Sequence, residues 1–514
     1  MTTLSSVIKA NQIPATAGTS ILQNALLEVF SNGKACPCVV SDYAAVANAG
    51  TAILAPTISS QFAYYPFSSA AGDTYTNSNS MVQDSAANLY VAVNTTGPSL
   101  QINKYSAAGA LLGSIAITTS DYPIDLNIGI LSNGNIFVTW TQNTSLTAYY
   151  AIINPQLQQV VAATALNASS TSNGYYVSSV ALSGGGFAAV YWNTGAVMQL
   201  SIYNNAGTYQ ASATITGSAN WKPGIIALSN GNVAVVTKNG TTLSFTIFST
   251  AAAVVVATTA TTVAANGNTC SISAMSGFFA FGTIGASASA PNYVAVVSNA
   301  GTQQGSTILI PNTGTGGNGC QLFNDGTNFW WVTEQSSTSY LQYSQITTGA
   351  VATTYVTQTS AVGTNFSSSM DPKSGSIYTV TVGGGTCYVF NTVTKNPYTS
   401  VTLTPSLLAS PPVLYFMALG DGAVFVGGPN VSVTNNPFTY SIWKVENTAI
   451  IGVAQSAAAI GQTVEALVVD GYFQITQLKG SLTKSFNMNS TSGSNLIANK
   501  GVIAGVGISQ LGIQ

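Results

Sequence analysis

Internal repetition constrains this chain more than any other feature. LSNGNIFV begins at Leu131, LSGGGFAAV at Leu182 and LSNGNVAVV at Leu228. Related runs start at Val82 (VQDSAANLYVAV), Met275 (MSGFFAFG), Phe323 (FNDGTNFWWV), Met370 (MDPKSGSIYTV) and Leu419 (LGDGAVFV), at intervals of 49, 51, 46, 47, 48, 47 and 49 residues. In each unit an apolar run enters a Ser/Asn/Asp-Gly turn and a second run leaves it. Asn-Gly and Asp-Gly favour positive φ, so primed hairpin turns are predicted, with Gly134, Gly231 and Gly422 at positive φ. An alternating segment follows, such as LQINKYSAAGA from Leu100, and a Thr- and Val-rich run such as ATTATTV from Ala257 closes the unit. Four short strands per unit with almost no helical periodicity predict an all-β fold, a β-propeller of four-stranded antiparallel blades. Eight units favour eight blades; seven result if the Val82 and Leu419 units share one.

The propeller is assigned to residues 61–448, after an N-terminal β segment (1–60) and before a C-terminal β-module (449–514). The run FSNGKACPCVVSDYAAV from Phe30 predicts a hairpin turning at Asn32-Gly33. The terminal segments are short for cores of their own. Either they pack together with the propeller inserted between them, or they are independent arms.

Composition then removes functions. The chain has 11 basic and 13 acidic residues in 514, with no His, and every basic residue is Lys. Average chains are roughly 25% charged. Scattered lysines do not supply the cationic surface that nucleic acid needs, and catalysis by His and phosphate clamping by Arg are excluded. A hydrophobic fraction of 46% argues against disorder. The longest apolar candidate, Ala251 to Ala265, carries four Thr and is short for a membrane span. The N-terminus shows no apolar leader, so synthesis in a host cytoplasm without export is the expectation. The five cysteines, Cys36, Cys38, Cys270, Cys320 and Cys387, make an odd count that suits buried hydrophobes better than a disulfide framework.

Two resemblances are carried by particular residues. The L-S-N-G-N-x-x-V-x-W run ending at Trp140, followed by Y-x-x-x-I-N, resembles the repeat of large secreted bacterial adhesin-like and calcium-binding proteins. The segment IIGVAQSAAAIGQTVEALVVDGYFQI, Ile450 to Ile475, is similar to small β-domains of tail-fibre and virion appendage proteins of tailed bacteriophages. Gly452, Val453, Ala454, the alanine run and Gly461-Gln462-Thr463-Val464 carry that likeness. It implies a virion location and makes Gly452, Val453 and Val464 the expected docking residues.

Any hydrolysis must rest on carboxylates, and the pairs near in sequence are Asp121 with Asp125, Asp325 with Glu334, and Asp73 with Asp84. Turn capping is the ordinary fate of such residues, so no catalytic residue is expected. No acidic run has calcium-loop spacing, and no metal or cofactor is expected. Flat aromatics suit glycan binding without charge. Trp221 and Trp331 are the binding candidates, since Trp330-Trp331 point to opposite faces of one strand and at most one is expected in the core. Trp140 and Trp192 are expected to be structural; Tyr64-Tyr65 and Tyr149-Tyr150 pose the same two-faced choice. The sequence reading is a structural virion protein of a tailed phage, in the tail or an appendage, contributing to host-surface attachment. Its expected partners are other virion proteins, further copies of itself in the particle and a host glycan, with neither nucleic acid nor membrane insertion. The alternatives are a carbohydrate-active propeller enzyme using a carboxylate pair, and a capsid-decorating protein.

Overall fold

The structure, a computed structural model, describes most of residues 80–446. Outside that range it describes the backbone of strands Ala10–Ala17, Leu26–Phe30, Lys34–Pro37, Ala52–Ser59, Thr448–Ala454, Thr463–Val469, Asn489–Ser490 and Leu496–Ile497. Eight four-stranded antiparallel sheets follow one another along the chain. Blades I to VII occupy residues 81–118, 123–165, 177–215, 224–264, 271–310, 320–357 and 366–402. Within each, strands A to D run in sequence order. The A strands of successive blades touch in a complete circle, from blade I round to blade VIII and back. The fold is an eight-bladed propeller.

Blade VIII shows how the ring closes. Its A, B and C strands are Tyr415–Gly420, Ala423–Pro429 and Phe438–Lys444, but its D strand is Ala52–Ser59 from the other end of the chain. That strand pairs antiparallel with the C strand from Phe438↔Ser59 to Trp443↔Ala52. The boundary assigned at residue 60 therefore falls on the wrong side of a propeller strand. The run ANAGTAILAPTISS ending at Ser60 reads in sequence as an Ala-rich linker, uncharged and unrepeated, yet its Ala52–Ser59 strand supplies the edge that blade VIII lacks.

The cores are the seams between blades. Eight apolar clusters each join two neighbours, such as Tyr90, Ile102, Ile136 and Trp140 between blades I and II, or Met81, Val91, Tyr415 and Phe425 between blades I and VIII. Both faces of a blade are thus covered, so the B strands read as nearly continuous apolar runs; Ile136–Gln142 is buried throughout. Most described D strands face outward, are largely exposed, and need only β-branched and small residues; Gln159–Ala165 has no fully buried residue.

The hairpins explain the repeat. Gly134 N–H donates to the Leu131 carbonyl and Leu131 N–H to the Asn135 carbonyl, and Leu182/Gly185 and Leu228/Gly231 repeat the pattern. Gly134 and Gly231 have φ of +83° and +86°, while Asn133 and Asn230 are not at positive φ. These are type I turns followed by a left-handed residue, not the primed turns expected from Asn-Gly, since only one position leaves the right-handed region. Gly422, at φ +71°, sits in the shorter turn of blade VIII.

The termini form one small closed sheet. Leu26–Phe30 pairs with Lys34–Pro37, which pairs with Ala10–Ala17; that strand pairs with Thr463–Val469, which pairs with Thr448–Ala454, and the last returns to Leu26–Phe30. Five of this sheet's seven strands, three N-terminal and two C-terminal, thus make a closed circuit, the arrangement of a small barrel, and Thr448–Ala454 pairs in addition with Leu496–Ile497.

Candidate functional site: the loop face and its charged rim

The strand order gives the ring two unlike ends. One carries the A–B and C–D turns, mostly five residues long and built alike. C–D turns open with Ser, Thr or Asn, as at Asn154, whose Oδ1 accepts N–H groups of Gln156 and Gln158 at 3.1 and 2.9 Å, and at Asn204, which does the same for Ala206 and Thr208. The other end carries the B–C and D–A connections, and the D–A connections range from four residues (119–122) to twenty-one (60–80). Variable loops on a rigid scaffold are where recognition ordinarily sits.

On this loop face the described charges gather over blades II to IV. Asp121 lies in the connection entering blade II. It accepts the N–H of Tyr122 at 2.7 Å, of Thr144 in a short bond, and of Ser145 at 3.3 Å. Burial alone would raise its pKa, but the N–H donors, Thr144 foremost, outweigh it and hold the carboxyl below its ordinary value. Beside it Gln142 Nε2 donates to Ser120 Oγ and Ser145 Oγ to Gln142 Oε1, both at 2.6 Å. Asp125 sits two residues into its A strand at φ +54°, where the pairing with the B strand shifts between Thr139 and Thr141. A left-handed Asp at a bulge re-aims its side chain. One carboxylate oxygen accepts the Val177 N–H of blade III at 2.8 Å, and the other pairs with the Lys222 ammonium at the entrance to blade IV. One residue therefore ties three blades together at the rim of the axis.

The axis itself is laced by uncharged side chains. Asn127 Nδ2 donates to the Val177 carbonyl at 2.8 Å, Ser178 Oγ to the Pro223 carbonyl at 2.7 Å, and Gln83 Nε2 to the Leu419 carbonyl at 3.1 Å. Leu322 N–H donates to Ser271 Oγ at 2.8 Å, and Ala418 N–H to Ser369 Oγ at 2.9 Å. Each bond spans neighbouring blades, which accounts for the Ser and Asn content of the A strands.

The carboxylates that pair in sequence are engaged separately in the structure. Asp121 and Asp125 share the loop face but are bound separately as above. Asp325 lies in a turn on the opposite end, accepting Thr327 and Asn328 N–H groups at 2.9 and 2.8 Å and the Trp330 indole N–H at 2.8 Å. Asp84 caps its own turn through Ala86 and Asn88 at 2.9 and 2.8 Å. Asp73 and the Glu334 side chain lie outside the described residues. Among the described residues no three acidic or thiol side chains gather as a metal-binding group.

The aromatic candidates need one correction. Trp331 is 0% exposed, in the seam between blades V and VI, and Trp330 is equally buried between blades VI and VII. Opposite faces of one strand do not mean one wet face when both faces are seams, so Trp331 is no binding residue. Trp140 and Trp192 are buried in the seams between blades I and II and blades III and IV. Tyr149 and Tyr150 each serve a different seam. Trp221, Tyr64 and Tyr65 lie outside the described residues. Gly452, Val453 and Val464 fall in the terminal barrel, where Gly452 and Val453 pair with Leu27 and Leu26, and Val464 with Ala15. Sequence reasoning overlooked Lys222, whose partner lies 97 residues away with no spacing signal.

No protein-family model and no curated protein matches the chain. Solved structures similar to it include the Dos1 propeller, at 11% identity over 74% of this chain and 95% of that one, with a TM-score of 0.44. Apo AztD from Citrobacter koseri is similar at 12% identity over 69% and 98% of the two chains, with a TM-score of 0.43. A catalytically inactive virginiamycin B lyase from Staphylococcus aureus is similar at 12% identity over 62% and 94%, with a TM-score of 0.40. What these have in common with the chain is the propeller fold.

Proposed function

We propose that the chain is a structural protein of a tailed-phage particle, a tail or appendage component that docks through its terminal barrel and presents the propeller's loop face to the host surface. The observation that carries the reading is the barrel. It joins both chain ends next to a ring that is already closed by Ala52–Ser59, so it is surplus to the propeller and available as a mount. Its Thr448–Ala454 and Thr463–Val469 strands carry part of the segment, Ile450 to Ile475, that resembles virion appendage domains. The low charge supports the same reading, because an interface of Ser, Thr, Asn and Ala is desolvated without stripping water from ions. The commitment of Asp84, Asp121, Asp125 and Asp325 to structural hydrogen bonds supports a non-catalytic role.

The test is particle composition. The chain should co-purify with particles in fixed stoichiometry through density-gradient centrifugation, and purified chain should release no sugar from bacterial surface polysaccharide. Absence from particles contradicts the virion reading. Depolymerisation that is lost in Asp125→Asn turns the reading to the enzyme.

A further inference from the structure

Three of the few charged side chains in this molecule meet in one buried place. Asp371, Lys444 and Glu446 are 0%, 0% and 2% exposed, at the turn end of the seam between blades VII and VIII. Asp371 has counterparts. Like Asp84 and Asp325 it opens an A–B turn, accepts that turn's N–H groups, and meets an aromatic of the following strand, here Tyr378. Turn geometry therefore accounts for the Asp. It does not account for Lys444, the last residue of the C strand of blade VIII, or for Glu446 two residues on. Only at the closing seam, among the described residues, is this turn joined by a fully buried amine and a second buried carboxyl.

The atoms are arranged for a reaction. Asp371 Oδ1 accepts the backbone N–H groups of Lys373 and Ser374 at 2.8 and 2.9 Å. Its Oδ2 faces the Tyr378 hydroxyl at 3.2 Å and the Gly422 N–H at 3.4 Å. The same hydroxyl lies 2.8 Å from Glu446 Oε2, so Tyr378 bridges the two carboxyls. Lys444 Nζ is beside Gly422, 3.2 Å from where a Cβ at that position would stand, so the missing side chain leaves the amine its place next to the Asp371 pocket. Tyr378, Val424, Trp443 and Val445 belong to the apolar cluster around it. The apolar cluster makes buried ions costly while the N–H donors favour the Asp371 carboxylate, so a proton passing from Lys444 to Asp371, leaving a neutral amine beside a carboxylic acid, is the step that opens the reaction below.

We propose that Lys444 and Asp371 condense to an intramolecular isopeptide bond that locks blade VIII to blade VII, with Glu446 moving the protons through Tyr378. The neutral Lys444 amine attacks Cγ of protonated Asp371, forming the C–N bond and placing negative charge on Oδ1, where the Lys373 and Ser374 N–H groups hold it. Glu446 takes a proton from the attacking nitrogen and returns one through the Tyr378 hydroxyl to Oδ2. The Cγ–Oδ2 bond breaks, water leaves, and Oδ1 becomes the amide carbonyl with both N–H donors unchanged. Amine plus acid gives amide plus water, Glu446 is regenerated, and no oxidant or co-reactant is consumed. The proposal is independent of the virion reading.

Intact mass spectrometry of the folded full-length chain, followed by denaturation and peptide mapping, is the test. The expected mass is one water below that of the sequence, with a branched peptide joining residues 371 and 444. Lys444→Met and Asp371→Ala should restore the full mass, and Glu446→Gln should lower the linked fraction at least about tenfold. A wild-type chain that keeps the full sequence mass after prolonged incubation overturns the proposal, and this reading needs no variant to fold. A branch through the half-buried Lys373 instead of Lys444 also overturns it.

Discussion

The fourth position of the C–D turn lets one residue be compared with another in the same molecule. Gly109, Gly207 and Gly301 hold it in blades I, III and V, whereas Leu157, Ala252 and Ala350 hold it in blades II, IV and VI, all at positive φ. A side chain in that region costs roughly 1–2 kcal/mol. Ala350→Gly should therefore raise stability by about 0.5–1 kcal/mol in denaturant titration, net of the flexibility gained by the unfolded chain. Gly301→Ala should lower it by more than about 1 kcal/mol, because the new methyl also meets Val256 at 2.7 Å. Gly134→Ala meets nothing within 4 Å and should show the backbone cost alone. Lys222→Met leaves the Asp125 carboxylate without its cation on a side chain only 9% exposed, and should cost about 1–3 kcal/mol in the same titration.

At the scale of strands and turns, the hairpins were legible and the edges were not. Asn-Gly marks the A–B turn in sequence, but it serves primed turns and type I turns with a following left-handed residue alike; only the φ of Asn133 and Asn230 separates them. The C–D turns had a signal too, Ser, Thr or Asn followed three residues later by Gly or a small residue. It is weaker because Leu157 and Ala252 carry no mark of positive φ. Trp331 was misread because alternation tells which way a side chain points and says nothing of what covers that face. Lys222 was illegible because its partner comes from another blade. Ala52–Ser59 was hidden by its resemblance to a linker, and its role gives a prediction. A chain starting at residue 60 should leave the Phe438–Lys444 edge unpaired, an open invitation to intermolecular pairing. Hydrogen exchange should show loss of protection centred on Tyr415–Lys444, with aggregation on heating, while blades III to V stay protected. Uniform loss across all eight blades would mean that the ring unfolds as one unit instead.

Across the whole molecule, the shortage of ionisable groups sets the response to pH. No His titrates near neutrality, so stability should be flat between about pH 5 and 8. On the acid side, Asp121 has a lowered folded pKa; its contribution is present above the unfolded value and is lost as pH falls below about 4. On the alkaline side, burial raises the Cys320 thiol to about 12 and pushes Cys387 up as well. Groups with raised folded pKa stabilise fully below their unfolded value and lose that contribution as pH rises, so melting temperature should begin to fall near pH 8.5. Burial pushes up the Cys270 thiol too, so replacing Cys270, Cys320 and Cys387 together by Ala should delay that fall to near pH 10, where buried tyrosines such as Tyr343 and Tyr378 take over, their phenols raised first by burial. An onset unmoved by the triple replacement would show that these thiols are not the cause.

The proposed division of labour between a self-contained ring and a terminal mount is tested most directly by particle incorporation of a trimmed chain. A chain of residues 52–446 keeps all eight blades, including Ala52–Ser59, and removes every strand of the barrel. The trimmed chain should be a folded, monodisperse propeller that is absent from particles assembled in its presence, while the full chain enters them at fixed copy number. Trimmed chain found in particles at the copy number of the full chain would contradict it, and would place the docking surface on the propeller itself.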